Sequence, residues 1–346
     1  MLLTLPNRIA DASNARDRVR TSAASPMRVK RRFIMHSLAG ALLAGLVARS
    51  LPAQSVNVSS LEAQLLPRAD TTLTLHTNTR DLIAELRVPT GAGPHPVAIV
   101  IHGGCWITKY ADARYMKPMS EALRQAGIAT WTISYRRADE NGGGWPNTFL
   151  DVAAASAQLR DIAPRFHLDL TRVIASGHSA GAHLALWLAA QPKLPPASAV
   201  HAATNALPIA AVVALDGPGD LVKSDAGITR ICGGNVLEQL LTSTPSSMPE
   251  RWREASPSEW LPLGVPQAMV RGGLDARLPG FNSADGAMTP YTVRAKASGD
   301  SAWVVTADST SHFTMLEPKH PAFAVVLKAM RDALAAITPS SSIRKR

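Results

Sequence analysis

The sequence predicts an α/β domain: a mostly parallel central sheet with helices on both faces and a small lid. Three observations lead there. Apolar runs of strand length alternate with longer stretches of helix formers from about residue 97 to 337. The run Val97-Ala98-Ile99-Val100-Ile101 is apolar without interruption, as a strand covered on both faces requires. A third run, 172–176, passes through Gly177-His178-Ser179-Ala180-Gly181 straight into the helix formers of 182–190.

The elements follow in order. Residues 1–53 read as an amino-terminal extension and 54–69 as a linker. Residues 71–77 and 81–88 alternate apolar and polar side chains around Asn78-Thr79-Arg80, the pattern of a hairpin at a sheet edge. A Gly/Pro loop at 90–96 leads into the strand 97–101. A helix is expected over 113–126, stopped by Gly127, then a strand over 128–135 and a helix over 147–163, stopped by Pro164. Beyond the 172–190 unit, strands are expected at 209–215, 267–270 and 303–306, and helices at 289–297 and 320–337. Residues 221–263, rich in Gly, Pro, Ser and Trp, break this rhythm and read as the lid, too short for a second domain. The domain so drawn covers 70–338, with a basic tail at 339–346.

Composition is that of an ordinary globular chain, 346 residues, 46% hydrophobic and 18% charged, long enough for one large α/β domain or two small ones. The formal charge of +10 sits at the ends. Residues 1–53 hold nine Lys/Arg against two Asp/Glu, and Arg344-Lys345-Arg346 close the chain. Residues 54–343 carry 24 basic and 24 acidic side chains. A neutral body argues against nucleic acid as a partner. Arg28-Val29-Lys30-Arg31-Arg32 precedes an apolar run over 33–47, which reads as a secretory signal and is short for a membrane span. Arg31-Arg32-Phe33-Ile34-Met35 also fits a twin-arginine pattern. The expected start is Met27, with cleavage after Ala48 or near Ala53, so the expected destination is the periplasm or the exterior. An uncleaved anchor is the alternative. Two cysteines, Cys105 and Cys232, make neither a zinc array nor a disulfide scaffold. The 126 residues between them give no argument for pairing, and two unpaired thiols are expected.

Chemistry is concentrated at a few of the turns. A strand–turn–helix carrying G-x-S-x-G pushes the Ser179 hydroxyl out at the carboxyl end of the sheet, with small flanking residues because strand and helix backbones nearly touch. A hydroxyl needs a base, an orienting acid and a cradle for the oxyanion. His312, in a loop after the last strand, is the candidate base, since an imidazole titrates near neutral pH. Asp275, in a Gly-rich turn after 267–270, is the candidate acid; Asp216 and Asp220 are rivals, the latter reading as a helix cap. The backbone N–H groups of Gly103, Gly104 and Ala180 are the candidate cradle. His178 and His183 flank the serine and are expected to pack or orient the turn.

These residues carry a family resemblance. The chain from about 70 to 337 resembles the α/β-hydrolase superfamily, in its esterase branch with an HGG turn and a GxSAG elbow, which includes BD-FAE and kynurenine-formamidase-like enzymes. His102-Gly103-Gly104-Cys105-Trp106 matches the family's oxyanion turn, with Cys105 where an aromatic is common. Tyr135-Arg136, Trp145-Pro146, Asp151, Gly177 to Leu184, Asp220-Leu221, Cys232-Gly233-Gly234, Ala255-Ser256-Pro257, Asp275 and His312-Phe313 fall in the family's order. The resemblance implies hydrolysis of a small carboxylic ester, or a formamidase-type amide, through an acyl-serine. It implies no metal and no organic cofactor. A non-catalytic binding module on the same scaffold is the remaining alternative, and oligomeric state is not readable from the sequence.

Overall fold

Apolar runs separated by turns assemble into one eight-stranded sheet. The computed structural model describes residues 56–201, 206–273, 288–308 and 310–337. The chain separates into two units, Met1–Ala53 and Gln54–Arg346, and every described residue lies in the second. The strands are β1 (Thr71–His76), β2 (Asp81–Arg87), β3 (His95–Ile101), β4 (Ala129–Ile133), β5 (Leu168–His178), β6 (Ala211–Leu215), β7 (Gln267–Gly272) and β8 (Ala302–Ala307). Their spatial order is β1-β2-β4-β3-β5-β6-β7-β8. The hairpin β1–β2 is antiparallel, β2 meets β4 antiparallel, and every other pairing is parallel. The expected hairpin therefore does sit at the sheet edge.

The helices among the described residues are α1 (Val58–Glu62), α2 (Lys117–Gln125), α3 (Asn147–Ala157), α4 (Leu159–Ile162), α5 (Ala180–Ala190), α6 (Leu221–Cys232), α7 (Val236–Leu241), α8 (Pro249–Ala255), α9 (Met288–Ala297) and α10 (Phe323–Ala336). They cover both faces, because alternate strand residues point to opposite sides. In β3, Val97, Ile99 and Ile101 join the core built with α3 to α9. Ala98 and Val100 join the core built with α1, α2 and α10.

One stretch differs from expectation. Residues 58–62, inside the expected linker, form α1: Asn57 caps it by accepting from the Ser60 N–H, and Leu61 is fully buried. A short segment with one deep apolar anchor carries too little periodicity to stand out in the sequence. The expected lid of 221–263 holds α6, α7 and α8, and α6 begins where Asp220 reads as a helix cap. Gly233 caps α6 in the left-handed region and Pro249 opens α8.

Register decides where chemistry can occur. Ile101 of β3 pairs with Gly177 of β5, His178 with Leu215 of β6, Leu215 with Val270 of β7, and Gly272 of β7 with Ala307 of β8. Five of the six parallel strands, β3 and β5 to β8, thus end nearly level. The residues that follow them, His102, Ser179, Asp216, Gly273 and Asp308, line one edge.

Candidate active site

The turn between β5 and α5 is fixed by backbone approach. Ser179 has φ of +56° and ψ of −120°, a region that a side-chain-bearing residue rarely takes and that clusters at functional sites. Its N–H donates to the Leu215 carbonyl at 2.8 Å, and its own carbonyl accepts from the Ala182 N–H at 2.9 Å. A Cβ on Gly177 would strike the Gly181 carbonyl, one on Gly181 would strike the Ile101 carbonyl, and one on Gly217 the Ser179 carbonyl. Every residue from Val173 to Ala190 is buried except Ser179. The fold therefore presents that one side chain to the outside.

His312 comes to the same edge from the loop after β8. Its Nδ1 donates to Asp216 Oδ2 at 2.7 Å. Its carbonyl accepts from His178 Nε2 at 2.8 Å, and the two imidazoles stand 4.2 Å apart, centroid to centroid. Asp216, directly after β6, holds φ of +50° while its N–H donates to the Val270 carbonyl at 2.8 Å. Burial pushes the His312 imidazole below its ordinary 6.5, and the Asp216 carboxylate opposes that push. The neutral, proton-accepting form is thereby kept available at neutral pH. Asp275 lies outside the described residues. The carboxylate that the structure places against His312 is Asp216, a rival in the sequence reading. Its only sequence signal was its place just after a strand.

The turn after β3 is held by side chains from elsewhere. Tyr115 Oη accepts from the Gly103 N–H at 2.6 Å and donates to His178 Nδ1 at 2.9 Å. With Nδ1 accepting, His178 must carry its proton on Nε2, which is the atom that reaches the His312 carbonyl. One directed chain of hydrogen bonds thus links the β3 turn, the elbow and the His312 loop. Burial holds His178 well below 6.5 and so keeps it neutral, as this chain requires. The Gly103 N–H was expected to face the reacting oxygen; it is instead engaged by Tyr115. Gly103 earns its place by closeness, since a Cβ there would sit 2.5 Å from the His178 carbonyl and 2.9 Å from Ser179 Cβ.

Beneath the turn, His102 is buried and stacked on Tyr135 with centroids 4.3 Å apart, and the Tyr135 hydroxyl donates to the His102 carbonyl at 2.9 Å. The next residue, Arg136, grips Asp151 through Nε at 2.8 Å and a second guanidinium nitrogen at 2.7 Å, both side chains buried. The family-like Tyr135 therefore supports the turn directly, while Arg136 and Asp151 tie the segment after β4 to α3. His183 packs under Trp106 and Phe149 and donates through Nε2 to the Ala255 carbonyl at 2.8 Å. Asp220 caps α6 by accepting from the Lys223 N–H and pairs with Arg294 at 2.8 Å, consistent with a structural role.

The two cysteines are not free thiols. Cys105 and Cys232 form a disulfide with Cα atoms 5.9 Å apart. The expectation of unpaired thiols failed because only tertiary folding brings α6 beside the β3 turn. Closing a 127-residue separation restricts the unfolded chain by about 4–5 kcal/mol in chain-entropy terms. Among the described residues no group of three or more His, Cys, Asp or Glu is placed to hold a metal ion, and no helix is long and apolar enough to cross a membrane.

Comparison with known proteins agrees with this architecture. The fold is similar to a truncated carbohydrate esterase from gut microbiota, at 17% identity and a TM-score of 0.59, covering 77% of this chain and 97% of that one. It is also similar to esterase 2 of the planctomycete Thermogutta terrifontis with propionate bound, at 17% identity and a TM-score of 0.57, covering 78% and 95%. A bifunctional GH43-CE protein of Bacteroides eggerthii matches at 17% identity and a TM-score of 0.57, covering 73% of this chain and 33% of that one. No curated protein matches the chain. The BD-FAE family model matches residues 86–285, more than half of the sequence and all of the parallel sheet from β3 to β7. The chain belongs to the BD-FAE family, an α/β-hydrolase-like esterase family.

Proposed function

We propose that this protein is an exported serine esterase that cleaves small carboxylic esters through an acyl-serine. The observation that carries this reading is the convergence at one sheet edge. Ser179, the lone unburied residue of the elbow, follows β5 at that edge, and the loop after β8 returns to it with His312, whose backbone carbonyl accepts from His178 and whose Nδ1 is held by a carboxylate. His312 takes the Ser179 proton as Oγ attacks the acyl carbon, then returns it to the leaving alcohol. Water, deprotonated by the same imidazole, attacks the acyl-serine and releases the acid. The N–H groups of Gly104 and Ala180 stabilise the oxyanion, each worth roughly 3–4 kcal/mol of barrier. Asp216 orients His312; Asp275 is a second candidate for that role, divided from Asp216 by mutation below.

Family membership supports ester chemistry, and the similar Thermogutta esterase forms adducts with tabun and cyclosarin. A fluorophosphonate probe is therefore the direct test. Labelling at Ser179 and p-nitrophenyl acetate turnover are expected, with turnover falling about a million-fold in Ser179→Ala. Unlabelled wild type, or an unchanged rate in Ser179→Ala, ends the assignment. N-formylkynurenine assayed beside short and long acyl esters divides amide from ester preference. Export rests on the basic-then-apolar segment before residue 48 and gains support from the disulfide, which suits an oxidising compartment. Amino-terminal sequencing of mature protein from the periplasm or medium tests it.

A further inference from the structure

The oxyanion turn holds three successive residues in the left-handed region: Gly104, Cys105 and Trp106, with φ of +104°, +53° and +56°. Glycine enters that region freely, but two side-chain-bearing residues in a row persist only where their surroundings over-determine them. Trp106 is buried, and its carbonyl accepts from the Ala138 N–H at 2.7 Å. Cys105 is held covalently, through its bond to Cys232. Cys232 is itself firmly placed: it ends α6, Tyr110 Oη donates to its carbonyl at 2.6 Å, and the start of α6 is tied through Asp220 to Arg294. Because Tyr115 already engages the Gly103 N–H, any donor this turn offers must come from Gly104 onward, the segment the disulfide grips.

We propose that the Cys105–Cys232 disulfide is a positioning device that holds the oxyanion turn in its active shape, so that catalysis, beyond stability, depends on the bond. The proposal rests on the esterase reading above. Its chemistry is thiol–disulfide exchange. Dithiothreitol supplies two electrons and two protons, the S–S bond becomes two thiols, and the reductant closes to its own cyclic disulfide.

The test measures p-nitrophenyl acetate kinetics at 25 °C on oxidised wild type, reduced wild type, Cys105→Ala, Cys232→Ala and the double variant, with circular dichroism alongside. Reduced wild type and all three variants are expected to share one fall in kcat of about 10- to 100-fold, milder than deleting a donor outright. KM should change less than about threefold, and the double variant should be no worse than either single. Dithiothreitol should leave the double variant unchanged, and reoxidation should restore wild type. Full kcat in Cys232→Ala or in reduced wild type, with only a lower melting temperature, overturns the proposal. Loss confined to Cys105→Ala overturns it too, by assigning the effect to that side chain alone. If the variants do not fold, graded reduction of wild type decides: activity must fall before the dichroism signal does, and a simultaneous fall sinks the idea. Failure of the esterase reading is distinct, since oxidised wild type would then neither turn over nor label.

Discussion

The Ser179 elbow and the turn after β3 meet at the sheet edge, but they are secured differently. At the elbow, a Cβ on Gly177 or Gly181 would strike a backbone carbonyl, and the flanking residues are buried from Val173 to Ala190. The β3 turn depends on side chains brought from elsewhere: the Tyr115 hydroxyl on the Gly103 N–H, the Tyr135 ring on His102, and Cys232 bonded to Cys105. One region is shaped mainly by what its own residues lack, the other by what distant residues supply. The elbow should therefore fail as a unit when packed against, and the turn should fail gradually as tethers are cut.

The comparison predicts a graded series of effects. Gly181→Ala should be the most severe, because its Cβ meets the Ile101 backbone carbonyl, which cannot rotate away. A loss of more than about 4 kcal/mol, or no soluble protein, is expected in a denaturant titration; wild-type stability would erase the contrast between the regions. Asp216→Asn should lower kcat by about 10²- to 10⁴-fold with the fold intact, through loss of the charged acceptor on His312 Nδ1. Asp275→Asn measured in parallel assigns the orienting role, which belongs to whichever variant loses more. Tyr115→Phe leaves the Gly103 N–H and His178 Nδ1 without their shared partner in a buried site. A stability loss of about 1–3 kcal/mol is expected by urea unfolding, with a smaller fall in kcat than for Asp216→Asn. An unchanged midpoint would show that this tether does not bear on the turn.

Acid should act on both regions at once. Burial lowers His102, His178 and His183 from 6.5, to about 4 for His102 and His183. The unfolded chain takes up these protons near pH 6.5 and the native chain does not, so stability is fully present above that value. It should fall as pH drops from 6.5 toward 4, by up to about 1.4 kcal/mol per pH unit for each histidine. Melting temperatures across that window check the sign. Because His312 is also shifted down, the acid limb of kcat/KM should lie below pH 6.5, provided it is read at temperatures where the chain stays folded.

What the sequence disclosed follows the same division. The strands β3 to β8 were visible as apolar runs, and the elbow was visible because strand, turn and helix are contiguous. Strand and helix limits moved by a few residues, as where the 147–163 helix resolves into α3 and α4. The Cys105–Cys232 bond, the Tyr115–His178 contact and the approach of Asp216 to His312 join residues 63 to 127 positions apart. No local pattern encodes such encounters, which depend on how the loops stack once the sheet has formed. The Gly103 N–H shows the cost: its residue type read as a free donor, yet its partner was a tyrosine 12 positions on, unmarked by any motif.

The level ending of β3 and β5 to β8 carries a consequence for how such a scaffold can change. Each chemical part sits on a separate connection rooted at the same height, so a connection can lengthen outward without disturbing the hydrogen-bonded ladder beneath. A residue inserted within a strand would instead slide its tip by about 3.3 Å and turn its side chains to the opposite face. Diversification is thereby channelled into the connections, and the 221–263 segment lies in the longest one, between β6 and β7.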